Sequence, residues 1–296
     1  MPIDLIAPPH TPFDVQGRLN LPVVEQQAEH LKSNRVTGVF VCGSTGEGPS
    51  LTTGERKQLL EAWVNAAKPR GLTVIAQVGS CRQPDSIELA RHASECGADA
   101  VAAMAPYYFR PGNVADLVWF VEPIAQAAGE LPFYFYDIPV MTGVNVPTID
   151  FLRLATERIP QFRGVKFTNP DMLQLQRCLE FAGEHLDIWY GCDEALLAAY
   201  SLGVKAAVGS TYNFMAPVYH EMVRLWEDGD ADSARGHQLL SVKTVQMLAG
   251  FGYMGAAKRT MSLFGIDCGV VRPPLKGISN EQFEQIKRYF SENQLA

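Results

Sequence analysis

Charge is scarce in this chain of 296 residues: only 19% of the side chains are charged, and the 25 Lys plus Arg are outnumbered by 32 Asp plus Glu, for a formal charge of −7. No basic run stands out, so nucleic acid is not an expected partner. Little charge beside 47% hydrophobic residues also excludes a disordered chain and implies a large core. Long apolar runs are lacking too. Nothing approaches the ~18 uninterrupted apolar residues of a membrane span, and the opening MPIDLIAPPHTPFD has neither the basic start nor the apolar stretch of a signal peptide. A cytoplasmic location is the expectation. The six cysteines form no CxxC pair and the six histidines no HExxH spacing, so they read as free thiols, mostly small buried hydrophobes, with no metal site.

What is present is a repeat of short β-rich runs, at 5–7, 38–42, 73–78, 100–105, 133–136, 164–167, 187–190 and 206–209. Segments with helical periodicity lie between them, among them 53–67, 85–96, 114–128, 148–158, 172–184 and 194–202. Eight strand–helix units in a row predict an α/β fold, a closed (β/α)8 TIM barrel, with an open doubly wound sheet as the alternative. The stretch from about 215 to 296 reads as three or more helical segments, more than one closing helix. We expect a catalytic barrel over 1–225 and a helical extension over 226–296 packed on it as one structural unit, because no flexible linker separates them.

In such a barrel the chemistry belongs to the C-terminal ends of the strands. Of nine lysines, two fall in strands, Lys205 at the start of the last and Lys166 near the end of the sixth. Strand alternation puts Gly164, Lys166 and Thr168 on the inner face and Val165 and Phe167 on the outer one. A desolvated lysine lowers its pKa readily, and its neutral amine is the nucleophile a Schiff base needs. The competing reading is a structural ion pair. The same alternation in Phe133-Tyr134-Phe135-Tyr136 aims Tyr136 inward beside Lys166, where a phenol suits proton relay or simply fills the core.

Gly43-Ser44-Thr45-Gly46-Glu47-Gly48-Pro49-Ser50 follows the second strand and nearly matches a nucleotide-binding loop. Pro49 stands where the phosphate-binding lysine is required, so a carboxylate is the better ligand for its amides and hydroxyls. The formal GxGxxG at Gly250–Gly255 follows a helical segment instead of a strand and does not read as a dinucleotide site. Gly191-Cys192-Asp193-Glu194 and Gly209-Ser210-Thr211-Tyr212-Asn213 close the seventh and eighth strands. Their acceptors and hydroxyls suit a polyhydroxylated ligand, with helix capping by Asp193 and Ser210 as the plainer alternative.

The loop Gly43–Glu47, the strand end Tyr136-Asp137-Ile138-Pro139 and Gly164-Val165-Lys166-Phe167-Thr168 together resemble the pyruvate-dependent class I aldolases, the family of dihydrodipicolinate synthase and N-acetylneuraminate lyase. The likeness spans the whole chain. It is nearer to the lyase branch: Met141 stands where the synthases carry an Arg for the aldehyde substrate's carboxylate, and 191–194 and 209–213 match the lyases' Gly-x-Asp-Glu and Gly-Ser-Thr-Tyr-Asn.

The resemblance implies reversible cleavage of a sialic acid to pyruvate and N-acetylmannosamine, with Lys166 forming the Schiff base and Tyr136 relaying the proton. It further implies that Ser44 and Thr45 hold the pyruvyl carboxylate, and that Thr168, Gly191, Asp193, Glu194 and Ser210 bind the sugar-derived part. Tyr108 would reach a neighbouring subunit's site in a homotetramer. No metal or organic cofactor is implied, since the lysine imine is the electron sink, and the partners are a small sugar acid and pyruvate. Asp137, Cys192 and Phe109 depart from the family's usual residues. A same-fold aldolase or dehydratase for a 2-keto-3-deoxy acid, a dihydrodipicolinate synthase, and a non-catalytic sugar-acid binder are the alternatives.

Overall fold

The computed structural model describes residues 3–296. Eight strands, β1 (Asp4–Ala7), β2 (Gly38–Val41), β3 (Thr73–Gln77), β4 (Ala100–Met104), β5 (Phe133–Asp137), β6 (Phe162–Phe167), β7 (Asp187–Tyr190) and β8 (Ala206–Val208), pair in chain order, all parallel, and β8 returns to β1. The barrel is closed, and the doubly wound alternative is excluded. Several strands end one residue before their apolar run does. At β2 the reason is visible: Cys42 turns to φ 60°, out of the extended region and into the loop beyond.

Helices α1 (Val23–Ser33), α2 (Thr53–Ala67), α3 (Gln83–Cys96), α4 (Val114–Ala127), the short α5 (Pro139–Thr142), α6 (Thr148–Arg158), α7 (Met172–Ala182) and α8 (Leu196–Ser201) return the chain between strands. Local signals set their ends. α2 opens on a capping box between Thr52 and Glu55, and α3 closes on Gly97 in the left-handed conformation. The segment expected to be helical over 194–202 divides into a 3-10 turn at Asp193–Ala195 and then α8. Asp193 does not cap this helix, because its carboxylate is turned toward Thr211.

Alternation along the strands sorts the core into two parts. Phe133, Phe135, Val165 and Phe167 point outward into the layer beneath the helices, where Phe135 lies 4.2 Å from Phe151 between ring centroids. Each such fully buried side chain contributes ~1.5–3 kcal/mol. Ile6, Phe40, Ile75, Met104, Tyr134, Tyr136, Trp189 and Val208 point inward and fill the lumen.

Beyond β8 the chain forms α9 (Tyr212–Glu227), α10 (Ala231–Gly250), α11 (Tyr253–Thr260) and α12 (Asn280–Glu292). α10 lies along α9 and against the 3-10 turn at Asp193, which brings this helical layer to the C-terminal rim of the barrel. The glycines of the formal GxGxxG serve a helix junction: Gly252, at φ 91°, makes the turn from α10 into α11.

Candidate active site

Lys166 projects from β6 into the lumen and is 3% exposed. β5 and β6 pair with Tyr136 opposite Lys166, and Trp189 of β7 lies on its other side. The ammonium position sits 4.0 Å from the centre of the Tyr136 ring and 4.2 Å from that of Phe40. No carboxylate lies within salt-bridge distance of it among the described residues. Burial therefore pulls the amine down to about 7, with the charge of Asp193 acting in the opposite sense. The structural ion pair weighed for Lys166 is not formed.

Tyr136 is equally buried, and its hydroxyl lies 3.3 Å from Ser44 Oγ. Burial pushes the phenol up to about 12, while the hydroxyls of Ser44 and Thr168 favour its ionised form. Asp137, next in the strand, points to the other face, where Thr148 Oγ1 (2.8 Å) and Asn169 Nδ2 (3.1 Å) donate to it. Its departure from the family's usual residue thus falls outside the lumen.

The Ser44–Thr45 loop curls on itself: Glu47 N donates to Ser44 O and Gly48 N to Gly43 O. Cys42 and Glu47 both take positive φ, 60° and 54°, and Gly48 is packed so closely on the Cys42 carbonyl that no β-carbon fits. Backbone held this way costs ~1–3 kcal/mol per residue and persists only where the surroundings impose it. Here the surroundings come from the far end of the chain. Lys258 Nζ of α11 donates to Glu47 Oε1 at 2.8 Å in a fully buried pair, and the amide of Arg272 donates to Glu47 Oε2 at 2.8 Å. Arg272 also holds Glu55 through two hydrogen bonds of 2.5 and 2.9 Å. The amides of Ser44 and Thr45 are left without a partner among the described residues, an arrangement that can receive an anion.

Asp193, 4% exposed, accepts from the Thr211 amide at 2.9 Å and the Thr211 hydroxyl at 2.6 Å, both at Oδ2. Burial pushes this carboxyl up to about 6 against those two bonds. Its other oxygen, Oδ1, lies against Gly209, where any side chain would collide with it. Ser210 Oγ meets the hydroxyl of Tyr253 at 2.6 Å, so Ser210 is tied to α11 and caps nothing. Glu194 is exposed at the rim, and Gly191 N donates to Phe167 O.

Ser44, Thr45, Tyr136, Lys166, Thr168, Gly191, Asp193, Glu194 and Ser210 thus gather at the C-terminal ends of β2, β5, β6, β7 and β8. Tyr108 does not join them. It stands on the loop after β4, 77% exposed, with its ring edge-on to Phe109 at 5.0 Å. Sequence reasoning passed over Phe40, although alternation in Gly38-Val39-Phe40-Val41 marks it as inward. It also passed over Tyr253, Tyr219, Ser241 and Gln238, which reach the site from a helical layer with no local signal.

No three His, Cys, Asp or Glu side chains converge as metal ligands among the described residues, and no helix there is long and apolar enough to cross a membrane. The profile of the dihydrodipicolinate synthetase family matches residues 1–293. The N-acetylneuraminate lyase of Gallus gallus is 39% identical over 287 residues, covering 96% of this chain and 93% of its own. The structure of the N-acetylneuraminate lyase of Proteus mirabilis superposes with a TM-score of 0.96 at 37% identity, covering 99% of both chains. The dihydrodipicolinate synthase of Cyanidioschyzon merolae, solved with lysine bound, superposes at 0.91 and 26% identity over 99% of this chain and 98% of that one. The chain belongs to the dihydrodipicolinate synthetase family.

Proposed function

We propose that the protein is a class I aldolase that cleaves N-acetylneuraminate reversibly to pyruvate and N-acetylmannosamine through a Schiff base on Lys166. One observation carries the reading: a lysine enclosed by Phe40 and Tyr136 in the lumen, without an ion-pair partner among the described residues, whose amine is held at about 7. At pH 7 such an amine is about half neutral, against roughly a few in ten thousand for an ordinary lysine. A binding protein needs no nucleophile there.

In the proposed cycle the neutral Nζ adds to the ketone carbon of the open-chain sugar acid, and water leaves as the imine forms. A proton then leaves the hydroxyl beside the scissile bond, the electron pair of that carbon–carbon bond moves into the protonated imine, and the sugar aldehyde departs. The remaining enamine takes a proton on carbon, and water releases pyruvate and the free amine. Tyr136 is the relay for these protons, since burial keeps its phenol neutral and able to give its proton to one neighbour as it accepts another. The substrate carboxylate, seated on Ser44 and Thr45, assists as a base. Thr168, Gly191, Asp193, Glu194 and Ser210 hold the hydroxylated remainder, in keeping with the names of the lyases this chain is similar to.

The proposal includes a cytoplasmic enzyme that uses neither metal nor organic cofactor and in which 1–225 and 226–296 act as one unit. It also includes a homotetramer, with Tyr108 entering a neighbouring copy's site. Three consecutive aromatics on the surface, Tyr107, Tyr108 and Phe109, support a second copy as their cover.

Incubation with N-acetylneuraminate, borohydride reduction and peptide mass spectrometry test the reading. A reduced pyruvyl group on Lys166 is the expected result. Absence of label on Lys166 with both N-acetylneuraminate and pyruvate overturns it. Labelling by pyruvate alone keeps the aldolase and moves the substrate to another acid.

A further inference from the structure

Asp193 is held from behind by a closed ring of hydroxyls. Thr211 Oγ1 lies 2.6 Å from Asp193 Oδ2, Tyr219 OH 2.6 Å from Thr211 Oγ1, Ser241 Oγ 2.6 Å from Tyr219 OH, and Ser241 Oγ 3.4 Å from the Asp193 carbonyl. Thr211, Tyr219 and Ser241 are all 0% exposed. The ring therefore settles its hydrogen bonds without water.

Counting protons fixes its direction. An ionised Asp193 can only accept, so the Thr211 hydroxyl spends its single proton on Oδ2 and must accept from Tyr219, which in turn must accept from Ser241. The three hydroxyls then run in one sense, each strengthening the next toward the carboxylate. Only a proton placed on Oδ2 itself reverses the order, and the ring then closes through the long 3.4 Å contact between Ser241 and the Asp193 carbonyl. A hydrogen bond donated to Oδ2 favours the charged form of the carboxyl over the neutral one. The other oxygen, Oδ1, receives no donor among the described residues and is left for a ligand. Gln238 fixes the same turn, donating to Asp193 O at 3.0 Å and accepting from Leu197 N at 2.7 Å.

We propose that Tyr219 and Ser241, residues of the C-terminal helices, are positioning residues: through Thr211 they keep Asp193 ionised and oriented so that Oδ1 faces a hydroxyl of the substrate. The assignment of substrate hydroxyls to Asp193 rests on the function proposed above; the hold on its charge does not. The groups facing Asp193 are Lys166 from β6 and Tyr136 from β5, with Tyr190, Cys192 and Glu194 along its own segment. From the helical layer Tyr212 and Tyr219 of α9 and Tyr253 of α11 face it, all three neutral phenols raised by burial. Lys166 is the one cation of the set and sits in the lumen, so it favours an ionised Asp193 from the opposite side.

Thermal unfolding across pH tests the proposal without substrate. Burial holds Asp193 above the unfolded value, so its cost to the fold is absent at low pH, grows as pH rises from the ordinary carboxylate range toward about 6 and is complete above it; a variant that weakens the hold on the charge raises this carboxyl further and goes on losing stability above 6. Tyr219→Phe keeps the ring that packs on Tyr212 and removes only the hydroxyl. Its deficit in Tm is expected to widen from pH 5 to pH 8 by roughly twofold, and to lose this pH dependence when combined with Asp193→Asn. A deficit equal at all pH values, as loss of packing gives, overturns the proposal. Should Tyr219→Phe fail to fold, Ser241→Ala is read in the same way. In turnover, KM for N-acetylneuraminate should rise more than kcat falls, with Lys166 still labelled by pyruvate. Loss of that label from the unaltered protein would count against the proposed function, and the Tm series would still decide the role of Tyr219.

Discussion

Tyr134 and Tyr136 sit two residues apart on the inner face of β5, yet they look toward opposite mouths of the barrel. At the N-terminal mouth Tyr134 stacks on Trp189 at 3.8 Å and donates to Asp187 Oδ2 at 2.7 Å. A cleft of about 480 Å³ opens there, ringed by the exposed polar residues Asp4, Thr37, Thr73, Asp187 and Lys205 at strand starts. At the C-terminal mouth Tyr136 meets a hydroxyl and a lysine amine, and no carboxylate takes its proton. Lys166 does not line that cleft. What separates a site from a scaffold here is buried polar chemistry left incomplete, because a group that has its partners, or has water, has no reason to react.

Five substitutions and titrations sharpen that contrast. Lys166→Ala should reduce cleavage to background while the fold persists; residual turnover beyond a trace, measured by pyruvate release, would remove Lys166 from the mechanism. Tyr136→Phe should lower kcat by ~10²–10⁴, and an unchanged kcat would show that the proton travels by another route. The third test follows pH. Because the Lys166 amine sits at about 7, the rate of pyruvate trapping by borohydride should rise about tenfold per pH unit below 7 and level off above it. For the fold the sign is the reverse of an ordinary lysine's. An amine lowered from its unfolded value costs stability while the unfolded chain carries the charge, so Lys166→Met should gain most in Tm below pH 7 and progressively less toward pH 10. The smallest effect belongs to Tyr134→Phe, which removes one hydrogen bond worth ~0.5–1.5 kcal/mol and should leave kcat and KM alone. A loss of turnover there would break the comparison.

Much of this was legible in the sequence because strand alternation is strict. It put Lys166, Thr168 and Tyr136 inside and Val165, Phe167, Phe133 and Phe135 outside, and eight repeats of one unit set the closed barrel. The loops at Ser44, Asp193 and Ser210 follow strands β2, β7 and β8, so their place at one mouth came with the topology. What was not legible comes from far along the chain. Thr211 and Ser241 reach Asp193 across 18 and 48 residues, with Tyr219 between their hydroxyls, and nothing in a helical heptad tells a hydroxyl that meets a carboxylate from one that meets a neighbour. Asp193 and Ser210 looked equally suited to capping. Only the packed layer decides that they turn inward. Tyr253 lies inside a glycine pattern whose spacing says nothing of the side chain between the glycines, which meets Ser210 only in the folded chain.

The tie between Glu47 and the chain's last quarter bears on how the protein comes into being during synthesis. Glu47 is joined to Lys258 and Arg272 across 211 and 225 residues. When β8 leaves the ribosome the barrel has all its strands, but Glu47 is still a carboxylate with no cation to receive it, and burying it alone would cost several kcal/mol, roughly 3–5. Burial of Glu47 in the Ser44–Thr45 loop therefore depends on α11 and on the segment that carries Arg272. A growing polypeptide can thus have a barrel before that loop is set, because its anchor lies more than two hundred residues further along the chain.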